Sequence, residues 1–237
     1  MQAIDELEQR RRAYLDAMGI QVWQLRSRAP APDATRQSAP ELPSEPQGLA
    51  ADWPVLEQTV LQCRLCGLHE GRTQAVFGVG DRAADWLVIG EAPGAEEDRR
   101  GEPFVGRAGQ MLNAMLKAVG LRREQVYIAN IVKCRPPNNR DPRPEEAASC
   151  RQYLIRQVEL IRPRLILAVG RIAAHNLLGT DSSLGKLRGR IHHFGAQRIP
   201  LVVTYHPAYL LRSPDQKAKA WSDLLLARSV VRGEHGL

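Results

Sequence analysis

DWLVIGEAPGAEEDRRGEPFVGRAGQML, residues 85–112, decides the fold. Asp85 to Ile89 is short, apolar and followed by glycine, as expected of a strand buried on both faces, whereas Ala108 to Val119 is long enough for a helix. Between them lie glycine, acids and the pair Pro103-Phe104, with a carboxylate, Glu91, held at the mouth of the strand. The alternation continues downstream. Val126 to Val132, Arg164 to Val169 and Pro200 to Thr204 read as buried strands, and Pro144 to Ile161, Arg171 to Leu178 and about Asp215 to Val231 as helices. Pro144 suits a first helical turn, and Gly120 and Gly179 stand where helices want a C-terminal glycine. The pattern predicts an α/β fold in which a four-stranded parallel sheet is covered by helices on both faces. Ligands of such sheets bind beyond the carboxyl ends of the strands. The segments there are GEAPG, NIVKCRPPNNR, GRIAAH and YHPAYLLR.

Residues 1–28 read as a helical extension and residues 29–50 as a Pro/Ala-rich linker that cannot bury enough apolar area to fold, which leaves residues 51–237 as the folded domain. No apolar run approaches the ~20 residues that cross a bilayer, and the N-terminus lacks the apolar core of a signal peptide, so the expected location is the cytoplasm. The formal net charge is +7, mostly from arginine, whose fork matches phosphate oxygens. A polyanion such as DNA is a natural partner, although charge alone also fits any basic soluble protein. GEAPG lacks the lysine and hydroxyl of a phosphate-binding loop and does not fit the dinucleotide fingerprint, which argues against a nucleotide-binding enzyme.

The chain has four cysteines: Cys63 and Cys66 in CRLC, then Cys134 and Cys150. A C-x-x-C turn faces two thiolates toward one metal centre, and the count suits a closed site of either zinc or iron and sulfur. Spacing does not choose between them, and disulfides are disfavoured in the cytoplasm.

Together CRLCGLHEGRTQAVFG, GEAPGAEEDRRGEPFVGRAGQML, NIVKCRPPNNRDPRPEEAASC and HPAYLL resemble the family-four, iron–sulfur uracil-DNA glycosylases, over roughly Leu56 to Val230. The resemblance implies a three-layer α/β/α domain, a [4Fe–4S] cluster on Cys63, Cys66, Cys134 and Cys150, and excision of uracil from uracil-containing DNA. An enzyme of this kind extrudes the base into a pocket and reads its Watson–Crick edge. By the same resemblance Asn130 reads N3 and O4, Phe104 is the stacking face, the backbone of Glu91 and Ala92 lines the pocket, and Asn139 lies at its edge. His206 donates to uracil O2 and stabilises the anionic leaving group. Where the better-known branch carries an aspartate, this chain has Ala92, so a dissociative reaction is expected, with Glu91 or Glu97 assisting the water or the cationic sugar. Leu210 and Leu211 are candidates for a wedge that fills the gap left by the flipped base, and Arg212 for a phosphate contact.

Within the extension, RRRAYLDAMGIQVWQLR is similar to the N-terminal peptide of the psi subunit of the bacterial clamp loader, which makes residues 1–28 a candidate arm for a replication partner. The competing class for the domain is an iron–sulfur or zinc protein that binds DNA on the same fold without excision. The joint presence of Asn130, Phe104 and His206 favours the glycosylase, because binding alone has no need of all three.

Overall fold

The computed structural model of the chain describes residues 52–234. The expected helix of residues 1–28, the linker of residues 29–50 and the clamp-loader contact lie outside the described residues. The described chain runs α1 (Trp53–Leu61), α2 (Leu68–Gly71), β1 (Val79–Gly80), β2 (Trp86–Gly90), α3 (Ala95–Arg100), α4 (Arg107–Ala118), β3 (Tyr127–Asn130), α5 (Pro144–Ile161), β4 (Leu165–Val169), α6 (Arg171–Leu178), α7 (Leu184–Leu187), β5 (Ile191–Phe194), β6 (Ile199–Thr204), α8 (Pro207–Arg212) and α9 (Lys217–Arg232).

Two of the turn residues singled out in the sequence act as expected. Pro144 opens α5, where its missing N–H costs nothing, and Gly179 closes α6 with φ 61°, a left-handed conformation that glycine adopts without strain.

The four expected strands are β2, β3, β4 and β6, and they are mutually parallel in the order β3-β2-β4-β6. Among the described residues the sheet has six strands, because β1 pairs antiparallel with β3 at one edge and β5 pairs antiparallel with β6 at the other. Neither edge strand shows in the apolar pattern. β1 is two residues long and β5, IHHF, is largely unburied, so each lacks the continuous apolar run that marks the inner strands.

Each inner strand sends alternate side chains to opposite faces. Leu87, Ile89, Tyr127, Ala129, Ile166, Ala168, Leu201 and Val203 pack into one core with residues of α1, α5 and α6. Trp86, Val88, Ile128, Leu165, Leu167 and Val202 pack into a second core with residues of α4 and α9. Two cores on one sheet make the three-layer α/β/α arrangement, and no helix among the described residues is long and apolar enough to cross a membrane. Leu167, on a central strand, is fully buried. Leu167→Ala is expected to cost about 2–5 kcal/mol, read as a lower urea midpoint with an unchanged slope.

Candidate active site

Because β2, β3 and β6 run parallel, their carboxyl ends deliver three polar residues to one edge of the sheet. Glu91 follows β2, Asn130 ends β3, and His206 comes two residues after β6. A cavity of about 460 Å³ opens there, lined by Glu91, Ala92, Phe104, Asn130, Asn139 and His206, with Glu97 and Arg212 also on its wall. Every pocket residue expected from the sequence is therefore brought to one place.

The floor depends on a missing side chain. A Cβ on Gly90 would stand 2.5 Å from Asn130 Oδ1 and 2.6 Å from Phe104 Cζ, so only glycine lets the amide and the ring approach each other. Asn130 is 2% exposed, and its Oδ1 is buried with no hydrogen-bond partner among the described residues. A buried acceptor left unpaired costs about 1–3 kcal/mol.

Phe104 has φ 54°, a left-handed conformation that costs a non-glycine residue about 1–3 kcal/mol. Glu97 stabilises this loop from below. Its Oε1 accepts from the backbone N–H of Val105 at 3.0 Å and of Gly106 at 3.1 Å, and its Oε2 from the N–H of Gly94 at 3.1 Å. The carboxylate thus ties the GEAPG turn to the Phe104 loop.

His206 caps α8, its Nδ1 accepting from the N–H of Ala208 at 3.2 Å. That bond places the ring proton on Nε2. The ring lies 5.7 Å from that of Phe104, centroid to centroid, at 33°. Burial, helped by the Arg212 cation and opposed by Glu97, pushes the imidazole down to about 4. His206 is consequently a neutral donor.

Glu91 is half-buried, and burial raises its carboxyl to about 7; Asp141 adds to the rise through its charge and a shared hydrogen bond, and Arg171 opposes it. Asp141 itself pairs with Arg171 at 2.7 Å. Asn139, with φ 53°, accepts from Arg135 Nε at 2.7 Å, and Arg140 grips the buried Glu146 with both terminal nitrogens, at 2.8 and 2.6 Å.

At the outer end of the site α8 divides the two candidate wedge residues. Leu210 is 1% exposed and belongs to the core that also holds Phe104 and Leu112, which corrects the expectation that it enters DNA; Leu211 is 37% exposed and faces outward. Arg212 is exposed at the cavity rim.

The four thiols are also neighbours, in contact with the larger core. Cys134 and Cys150 each sense the charge of Cys63, and Cys134 also that of Cys66. Burial raises both Cys134 and Cys150, the latter to about 12. N–H groups point at three of the sulfurs: Leu65 at Cys63 (3.5 Å), Lys133 at Cys150 (3.3 Å) and the Arg72 guanidinium at Cys134 (2.9 Å). Lys133 is 1% exposed, and its ammonium donates to two neutral oxygens, Asn130 O at 3.1 Å and Gln157 Oε1 at 2.6 Å. Among the described residues no three His, Cys, Asp or Glu gather as tightly as a single metal ion needs.

Sequence reasoning missed Gly90 as the pocket floor, Asp141 as the partner of Glu91, and the cations Lys133 and Arg72 beside the sulfurs. Each acts through a contact across the fold, and the only local signal was Asp141 standing directly after PPNNR. The Glu91 carboxyl, followed by carbon-13 NMR, is expected to titrate near pH 7. Asp141→Asn should lower it only part of the way, since burial is the larger cause.

The model of the uracil DNA glycosylase superfamily matches residues 77–225 of this chain. The type-4 uracil-DNA glycosylase of Archaeoglobus fulgidus is 45% identical over 170 residues, covering 69% of this chain and 85% of that protein. The type-4 enzyme of Thermotoga maritima is 42% identical over 184 residues, covering 76% and 95%. A type-5 uracil-DNA glycosylase from Thermus thermophilus is 33% identical over 184 residues, covering 63% and 84%. The extent of these likenesses shows that the chain belongs to the uracil-DNA glycosylase superfamily, in its type-4 branch.

Proposed function

We infer that the chain excises uracil from DNA by hydrolysing the N-glycosidic bond, leaving an abasic site. The observation that carries this reading is the unpaired Oδ1 of Asn130 at the floor of a cavity walled by Phe104 and His206. Uracil presents an N–H at N3 between two carbonyls. Oδ1 accepts that N–H while the amide nitrogen donates to O4, and the Phe104 ring takes one face of the base.

Bond cleavage leaves negative charge on the base. The neutral His206, with its proton on Nε2, donates to O2 as that charge grows, and the donor is already oriented before the reaction. Ala92 offers nothing to polarise water, so departure of the base precedes capture of the sugar. Glu91 is the carboxylate with freedom to ionise beside the cationic sugar, whereas the Glu97 carboxylate accepts from backbone N–H groups and holds loops. Outside the pocket, Arg212 takes a phosphate and Leu211 fills the space the base vacates.

The thiol set fits a [4Fe–4S] cluster. Four cysteines, one per iron, accept a wider spread than the ligands of a single zinc ion, and the buried ammonium of Lys133, faced by Cys150 and by no carboxylate among the described residues, suits a centre carrying net negative charge. Cys63, Cys66, Cys134 and Cys150 would hold it. When bound, the cluster supplies a brace between segments distant in sequence rather than a reacting group.

Two experiments test these readings. Protein incubated with a uracil-containing oligonucleotide and then alkali should cut at uracil; Asn130→Asp, which can accept but cannot donate to O4, should slow single-turnover excision about 10- to 100-fold, and His206→Ala at least about tenfold. Absence of cutting by the wild type would instead leave a DNA-binding protein. Anaerobically purified protein should be brown with about four irons per chain, and a colourless, zinc-containing protein would overturn the cluster.

A further inference from the structure

Arg123 lies outside the cavity, in the short 3-10 turn Arg123–Gln125 that precedes β3. Its guanidinium reaches back across the fold, donating through Nη1 to the carbonyl of Phe104 at 3.2 Å and through Nη2 to the carbonyl of Pro103 in a short hydrogen bond. Nη1 also stands 3.5 Å from Asn113 Oδ1 on α4. The two main bonds therefore fall on the carbonyls that bracket the strained residue of the stacking loop.

We propose that Arg123 is a positioning residue for uracil recognition, holding Phe104 in its left-handed conformation so that the ring stays parallel to an incoming base. Three observations converge on this. First, the left-handed φ of Phe104 is unfavourable for a side chain of this size and persists only where surroundings over-determine it. Second, the N–H groups after Phe104 are held by Glu97 while the carbonyls before and at it are held by Arg123, so the loop is gripped through both kinds of backbone group. Third, a Cβ on Gly109 would come within 1.8 Å of the Phe104 carbonyl oxygen, so α4 packs directly against the same peptide whose oxygen accepts from Arg123. The turn that carries Arg123 leads into the strand that ends in Asn130, which couples the stacking face to the edge reader through one rigid segment. Lysine cannot reproduce the bond pair, because its single ammonium lacks the planar fork that spans two carbonyls.

The inference rests on the uracil-excision reading and is tested so that the two can fail separately. Arg123→Met and Arg123→Lys are compared with wild type in single-turnover excision, in equilibrium binding of free uracil, and in binding of DNA carrying a tetrahydrofuran abasic analogue, which has no base to stack. The expected result is a loss of roughly tenfold or more in excision and in free-uracil affinity for Arg123→Met, a smaller loss for Arg123→Lys, and unchanged affinity for the abasic analogue. In a Phe104→Ala background, Arg123→Met should add little, because the ring it positions is gone. Excision by Arg123→Met at the wild-type rate, an equal loss in the Phe104→Ala background, or a parallel loss of abasic-DNA affinity would overturn the positioning role. Wild-type protein that fails to excise would overturn the excision reading instead, and the free-uracil comparison would still decide what Arg123 does.

Discussion

The volume that a methyl group on Gly90 would occupy is shared by the Asn130 amide and the Phe104 ring. That close approach sets the geometry of the whole pocket. β2 and β3 lie side by side in the sheet, with Gly90 and Asn130 as partners in register, so the edge reader is delivered by strand pairing rather than by a loop. The ring comes from a loop that must bend into an unfavourable conformation to meet it. Rigid sheet on one side and a strained, heavily held loop on the other is an arrangement in which binding energy goes into recognition rather than into ordering the site.

Charge is distributed to the same end. His206 is kept neutral by burial beside Arg212, Glu91 is held near the point of ionisation by burial beside Asp141, and Glu97 is consumed by backbone N–H groups. Burial thus acts on His206 and Glu91 in opposite ways, keeping the imidazole uncharged and bringing the carboxyl near neutrality. Behind them Lys133 donates through its side chain to the Asn130 carbonyl and through its backbone to the Cys150 sulfur, so the thiol centre and the base-reading residue share one buried partner.

Much of this was legible in the sequence because parallel strands are buried on both faces and write themselves as continuous apolar runs, after which any polar residue stands out. The segments that carry Glu91, Asn130 and His206 stood out that way, the roles of Asn130 and His206 came from the family resemblance, and the four cysteines were marked by their number. β1 and β5 were not, because an edge strand of two residues or one with two histidines carries no such run. Leu210 and Leu211 could not be told apart as neighbours in one motif; only the packing of α8 buries the first and exposes the second. Arg123, Asp141 and Lys133 act across the fold, where spacing along the chain is silent.

The cap on α8 has a further consequence. The Nδ1 of His206 is occupied by the first peptide N–H of its own helix, that of Ala208, so the position of the ring proton is inherited from where the helix begins. Pro207 fixes that beginning, since it suits a first turn and cannot sit one turn deeper. The protonation geometry of the leaving-group donor is in this sense a product of secondary structure, written by the dipeptide His206-Pro207. A change at Pro207 that moved the helix start by one residue would alter the chemistry of the pocket although Pro207 itself does not line it.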